Sequence, residues 1–85
     1  MINVKEAVQK AAQYFEDLYG GQFSHVLVEE VEQDLGDWLV TLGYNDFSIL
    51  GQIDPKGARR FKVFKIDGNT GEVRSMKIRE VEHVE

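Results

Sequence analysis

Few residues in this chain could do chemistry, and their spacing decides what they can do. There are two histidines, His25 and His83, and no cysteine. Without cysteine there is no disulfide, no thiolate ligand and no thiol nucleophile. Zinc needs three or four converging His, Cys or carboxylate ligands. His25 opens a strand and His83 lies in the tail, so both read as solvent-facing and no metal is expected. Ser24 precedes His25, but neighbours on a strand point apart, and no Gly-x-Ser-x-Gly elbow is present. Glu29, Glu30 and Glu32 cluster on one strand and read as a solvated face rather than a paired-carboxylate centre. Asp67-Gly68-Asn69-Thr70-Gly71-Glu72 superficially resembles a calcium loop. Counted from Asp67, however, Gly71 falls where an oxygen ligand is needed, Glu72 where the glycine is needed, and Ile78 where the bidentate glutamate is needed. The segment reads as a turn. No Gly-x-x-x-x-Gly-Lys phosphate loop exists either. The chain therefore reads as non-catalytic and without a cofactor.

The remaining chemistry is charge. The net charge is −5, but residues up to Asp54 carry about −8 and those from Pro55 onward about +3. Acidic early strands and basic late strands lying side by side would pair these charges. The sharper reading is a dipolar surface that selects a charged partner. Lys56, Arg59, Arg60, Lys62 and Lys65 form a basic cluster interleaved by Phe61 and Phe64. Nucleic-acid-binding sheets use such aromatics for stacking. A nucleic-acid or anion-binding domain built on the basic third and fourth strands is thus the alternative function.

These residues need elements to position them. Asn3 can cap a helix, and Glu6 three residues on completes a capping box. Val4, Ala7, Val8, Ala11, Ala12, Phe15, Leu18 and Tyr19 recur at helical spacing, and Gly20-Gly21 ends the run. The helix therefore spans Val4 to about Tyr19. The first strand is read over His25–Glu32, a turn over Asp34–Asp37, and the second strand over Trp38–Tyr44. By period two, Trp38, Val40, Leu42 and Tyr44 share the face toward the helix, while Leu39 and Thr41 point toward water or a partner. The expected core is Val8, Ala11, Ala12, Phe15, Trp38, Val40 and Leu42. Phe61–Ile66 and Val73–Ile78 make a hairpin around the Asp67–Glu72 turn. Its apolar residues fall on both faces. Either a bulge flips the register in each strand, or the hairpin is apolar on both sides. The architecture is α+β: an N-terminal helix packed on one face of a four-stranded antiparallel meander, one domain over residues 1–85.

The pattern resembles the PepSY-like domains, small cystatin-like α+β modules. The resemblance rests on the alanine-rich helix Val4 to Tyr19, on the aromatic-led strand Trp38-Leu39-Val40, and above all on the run from Phe64 into Asp67-Gly68-Asn69-Thr70-Gly71-Glu72-Val73. An apolar strand running into Asp-x-x-Thr-Gly-Glu-Val is typical of that family. Its members are usually secreted or membrane-attached, often as inhibitory or chaperone-like modules near peptidases. The Gln-x-Val-x-Gly and Pro-Trp loops of the cystatin inhibitors are not found here. The resemblance implies the fold and a non-catalytic role.

What remains is binding to a protein partner, or self-association. Residues 45–58 are irregular yet carry Phe47, Ile49, Leu50 and Ile53, beside the basic Lys56, Arg59, Arg60 and Lys62. These eight residues are the candidate partner-binding set, an apolar centre ringed by charge. The rival reading puts the four apolar ones in the core. No apolar run reaches the roughly 18–20 residues that span a bilayer. Nor does Met1-Ile2-Asn3-Val4-Lys5-Glu6 supply a signal core, so the cytoplasm is the expected compartment. A leader removed before Met1 would leave the same sequence.

Overall fold

Helix α1 (Val4–Tyr19) starts where its first turn can be capped and stops where a left-handed residue is needed. Asn3 Oδ1 accepts from the Glu6 backbone N–H at 2.8 Å, and Glu6 Oε1 accepts from the Asn3 N–H at 3.2 Å. Gly20 takes φ 56°, where a side chain would cost a Cβ clash, and its N–H closes the last turn on Glu16 O at 2.7 Å. The computed structural model describes residues 1–46 and 58–79. After the helix come β1 (Ser24–Asp34), β2 (Asp37–Asp46), β3 (Ala58–Ile66) and β4 (Val73–Arg79). They form one antiparallel sheet in the order β1-β2-β3-β4, with α1 on one face. The fold is thus the α+β helix-on-meander read from the sequence. Each strand runs further than that reading had it, and β2 continues past Tyr44 to Asp46.

The core lies between α1 and the central strands. Ala7, Ala11 and Phe15 meet Val40, Leu42, Tyr44, Phe64 and Ile66, with Val8, Tyr19, Phe23, Val31, Trp38, Val73 and Met76 packed half-buried around them. Ala12 departs from expectation and is exposed. It sits about 100° round the helix from Ala11, too far for a single helix lying on a flat layer to bury it. Val4 and Leu18, in the terminal turns, are also exposed.

Bulges reconcile the awkward spacings. Val28 pairs with Leu42 and Glu30 with Thr41, so Glu29 is an extra residue. That insertion lets Val28 and Val31, three apart, share the helix-facing side. In β4, Ile66 pairs with Val73 but Lys65 with Ser75, leaving Arg74 as the extra residue. Val73, Met76 and Ile78 thereby fall on one side. β3 keeps an unbroken register with β2, so Phe64 and Ile66 face α1 while Phe61 and Val63 face away. Of the two alternatives, the bulge holds for β4 and two-sided apolarity for β3.

The two hairpin turns meet. Leu35 and Gly36 take φ 50° and 85°, the pair of left-handed residues that joins β1 tightly to β2. In the β3–β4 turn, Asp67 Oδ1 accepts from the N–H groups of Asn69 and Thr70 at 2.8 and 3.1 Å, and Oδ2 accepts from Arg74 Nη2 at 2.6 Å. Gly68 O accepts from the Ile2 N–H at 2.8 Å, and Trp38 Nε1 donates to Ile2 O at 3.3 Å. The N-terminus is thereby tied to both hairpins.

The backbone N–H groups of Asn69 and Thr70, and then Arg74, hold the Asp67 carboxyl below its ordinary value. A group whose folded pKa is depressed stabilises the fold above its unfolded pKa, and loses that contribution as pH falls through the folded value. The melting temperature should therefore drop in acid below the usual aspartate range. Asp67→Asn, which keeps an acceptor oxygen but no charge, should melt lower than wild type at neutral pH, with the gap closing in acid. Parallel thermal melts across that range check this, and a gap independent of pH contradicts it.

Candidate interaction surface

Among the described residues, the second face of the sheet has nothing packed on it. The strand register fills it column by column. β1 contributes Glu32, Glu30, Glu29 and Leu27; β2 contributes Leu39, Thr41, Gly43 and Asn45. β3 supplies Lys65, Val63, Phe61 and Arg59, and β4 supplies Ser75, Lys77 and Arg79. Acids stand at one edge and bases at the other. Between them lie Leu39, Val63 and Phe61, all half-buried.

Two ion pairs reach over β2. Arg59 Nη2 meets Glu29 Oε1 at 2.7 Å, lying over Gly43, where a Cβ would stand 2.8 Å from that guanidinium nitrogen. Arg59 Nη1 also donates to His25 O at 2.6 Å and to Asn45 Oδ1 at 3.1 Å. Arg79 Nη1 meets Glu30 Oε1 at 2.7 Å and donates to Thr41 Oγ1 at 3.0 Å. Thr41 does point away from the helix, as its place in the strand requires, but it is buried beneath this pair. The early acids and late bases do pair side by side. Glu32 and Lys77 have no such partner: neither makes an ion pair among the described residues. On β1, which is an edge of the sheet, Val26, Leu27 and Val28 are 40%, 58% and 45% exposed. This is an apolar stretch on a strand with one unpaired side.

The basic cluster read from the sequence does not assemble. Arg59 lies on the open face, whereas Arg60 and Lys62 share the helix-facing side, since alternate residues of β3 point opposite ways. Arg60 Nε stands 3.3 Å from Asp46 Oδ2. Lys62 Nζ lies 5.9 and 6.0 Å from the ring centres of Tyr19 and Tyr44, within cation–π range. Phe47, Ile49, Leu50, Ile53 and Lys56 lie outside the described residues.

Ser24 and His25 also depart from expectation. They do not point apart, because His25 takes φ 54° within an irregular stretch of β1. Its Nδ1 lies 3.2 Å from Ser24 Oγ and 3.2 Å from Asn45 Nδ2. Both contacts fall on the same ring nitrogen. A nucleophile–base–orienter relay needs one on each.

No group of three or more potential metal ligands exists among the described residues. No helix there is long and apolar enough to cross a membrane. The bulges and the acid-to-base gradient across the face escaped the sequence reading, although one signal was present. Val28/Val31 and Val73/Met76 are each spaced by three in strands whose period is two, which is the mark a bulge leaves. The chain matches no family model, no curated protein and no solved structure.

Proposed function

We propose that the chain is a non-catalytic protein-interaction module, of the kind implied by its resemblance to PepSY-like, cystatin-like domains. It engages a protein partner or itself through the open sheet face and the adjoining β1 edge. The observation that carries this reading is the open face itself: Leu39, Val63 and Phe61 at the centre, Glu29, Glu30 and Glu32 along one side, and Lys77 and Arg79 along the other. An apolar centre with a charged rim is how protein interfaces are built. The β1 edge adds unpaired backbone that a further strand can complete.

The test replaces Leu27 and Leu39 together with lysine and measures two things at once: capture of binding partners from an extract of the native host, and the melting temperature. Capture should be lost while the melting temperature moves by less than about 5 °C, roughly the shift that 1 kcal/mol produces in a domain this small. If capture survives both lysines, the surface is wrong. If it disappears only because the domain unfolds, the reading loses its support.

A further inference from the structure

We infer that the open face docks on the same face of a second copy of this chain, about a two-fold axis parallel to the strands. The inference rests on the interaction-module reading and names the partner. Its basis is the order of charge across the sheet. Such a two-fold turns the face over and exchanges its left and right edges. β1 of one copy then lies over β4 of the other, and β2 over β3. Glu29, Glu30 and Glu32 meet Lys77 and Arg79 of the second copy, at two symmetric places. Leu39 and Thr41 meet Val63 and Phe61. A face with both signs mixed at random would not complement itself. One with acids at one edge, bases at the other and apolar residues between does, and closed two-fold dimers require such self-complementarity.

The unpaired charges fit this arrangement. Glu32 stands level with Leu39 and Ser75, and Lys77 level with Thr41 and Glu30, so the two are offset by two residues along the strands. That is about 7 Å, within reach of two long side chains across an interface. Within one chain they cannot meet, being three strands and roughly 14 Å apart. The area suits a weak, reversible dimer. Four strands at about 4.8 Å spacing and about seven residues in length present roughly 450 Å² per copy in projection, which places the pair at the low end of specific interfaces. A dissociation constant of about 10⁻⁵ M is expected.

Sedimentation equilibrium of the intact chain, from about 1 µM to 1 mM, tests this. The mass should rise from 9.7 kDa to twice that value and stop. Glu32→Lys alone and Lys77→Glu alone should each weaken the dimer about tenfold or more, because like charges then face each other twice. The double variant, with both charges exchanged, should recover it to within about threefold. Because these two residues do not touch within a chain, recovery reports contact between copies. Val63→Lys should abolish dimerisation, with a thermal melt on each variant confirming that it is folded. A monomer at every concentration overturns the inference, as does growth beyond two copies, which edge-to-edge pairing of β1 with β4 would give. So does a double variant no better than the singles. A monomer that still captures a partner through Leu27 and Leu39 overturns the dimer and leaves the module reading standing. A monomer that captures nothing removes both.

Discussion

Truncating Phe15 to alanine is expected to destabilise the domain by about 3–5 kcal/mol, a large share of what a chain this small has to lose. Phe15 is only 4% exposed, and its ring lies 4.8 Å from Tyr19, 5.2 Å from Tyr44, 5.9 Å from Phe23 and 6.4 Å from Phe64, centre to centre. It is the one side chain of α1 that joins the helix, the segment after it and the two central strands. Removal loses the transfer energy of the ring and leaves a cavity that its rigid aromatic neighbours cannot close. Urea unfolding checks this, and a loss below about 1 kcal/mol would mean that the core is centred elsewhere.

Gly68→Ala is expected to cost about 2–4 kcal/mol, the range for forcing atoms into a packed site whose neighbours cannot yield. A Cβ at Gly68 would run into the carbonyl oxygen of Gly36 and stand 2.9 Å from its carbon, and both are backbone. The two hairpin turns would have to separate. The Ile2 N–H bond to Gly68 O, which holds the N-terminus, would be strained with them. Gly43→Ala makes an instructive control. Its Cβ would meet Arg59 and Glu29, but these are side-chain atoms that can swing away, so the loss should be about 1 kcal/mol or less. Equal losses at the two glycines, measured by the same unfolding series, would contradict the turn-on-turn packing.

How much of this was legible in the sequence differs from element to element. α1 was readable almost to the residue, because Asn3, Glu6 and Gly20 act locally and no distant contact is needed to interpret them. The face of β2 was readable because Trp38, Val40, Leu42 and Tyr44 alternate without interruption. Ala12 was misplaced because the width of the buried stripe depends on what covers the helix, and one sheet covers less than a full core does. Arg59, Arg60 and Lys62 read as one patch because closeness in sequence resembles closeness in space, yet a strand sends adjacent residues to opposite faces. Gly68 gave no local sign of its role, since the carbonyl it must clear lies in a different turn. The gradient from Glu32 to Lys77 depends on strand order, and strand order is a long-range property.

The central claim is that one face of the sheet is closed by α1 while the other is the contact surface. Methyl-resolved NMR of the intact chain tests it most directly, comparing dilute with concentrated protein and with protein saturated by a captured partner. The methyl signals of Leu27, Leu39 and Val63, on the open face, should shift or broaden, while those of Val40, Leu42 and Ile66, buried under the helix, stay in place. Shifts confined to the second group, or to the exposed Val4 and Leu18 of α1, would place the contact on the helix side and contradict the account.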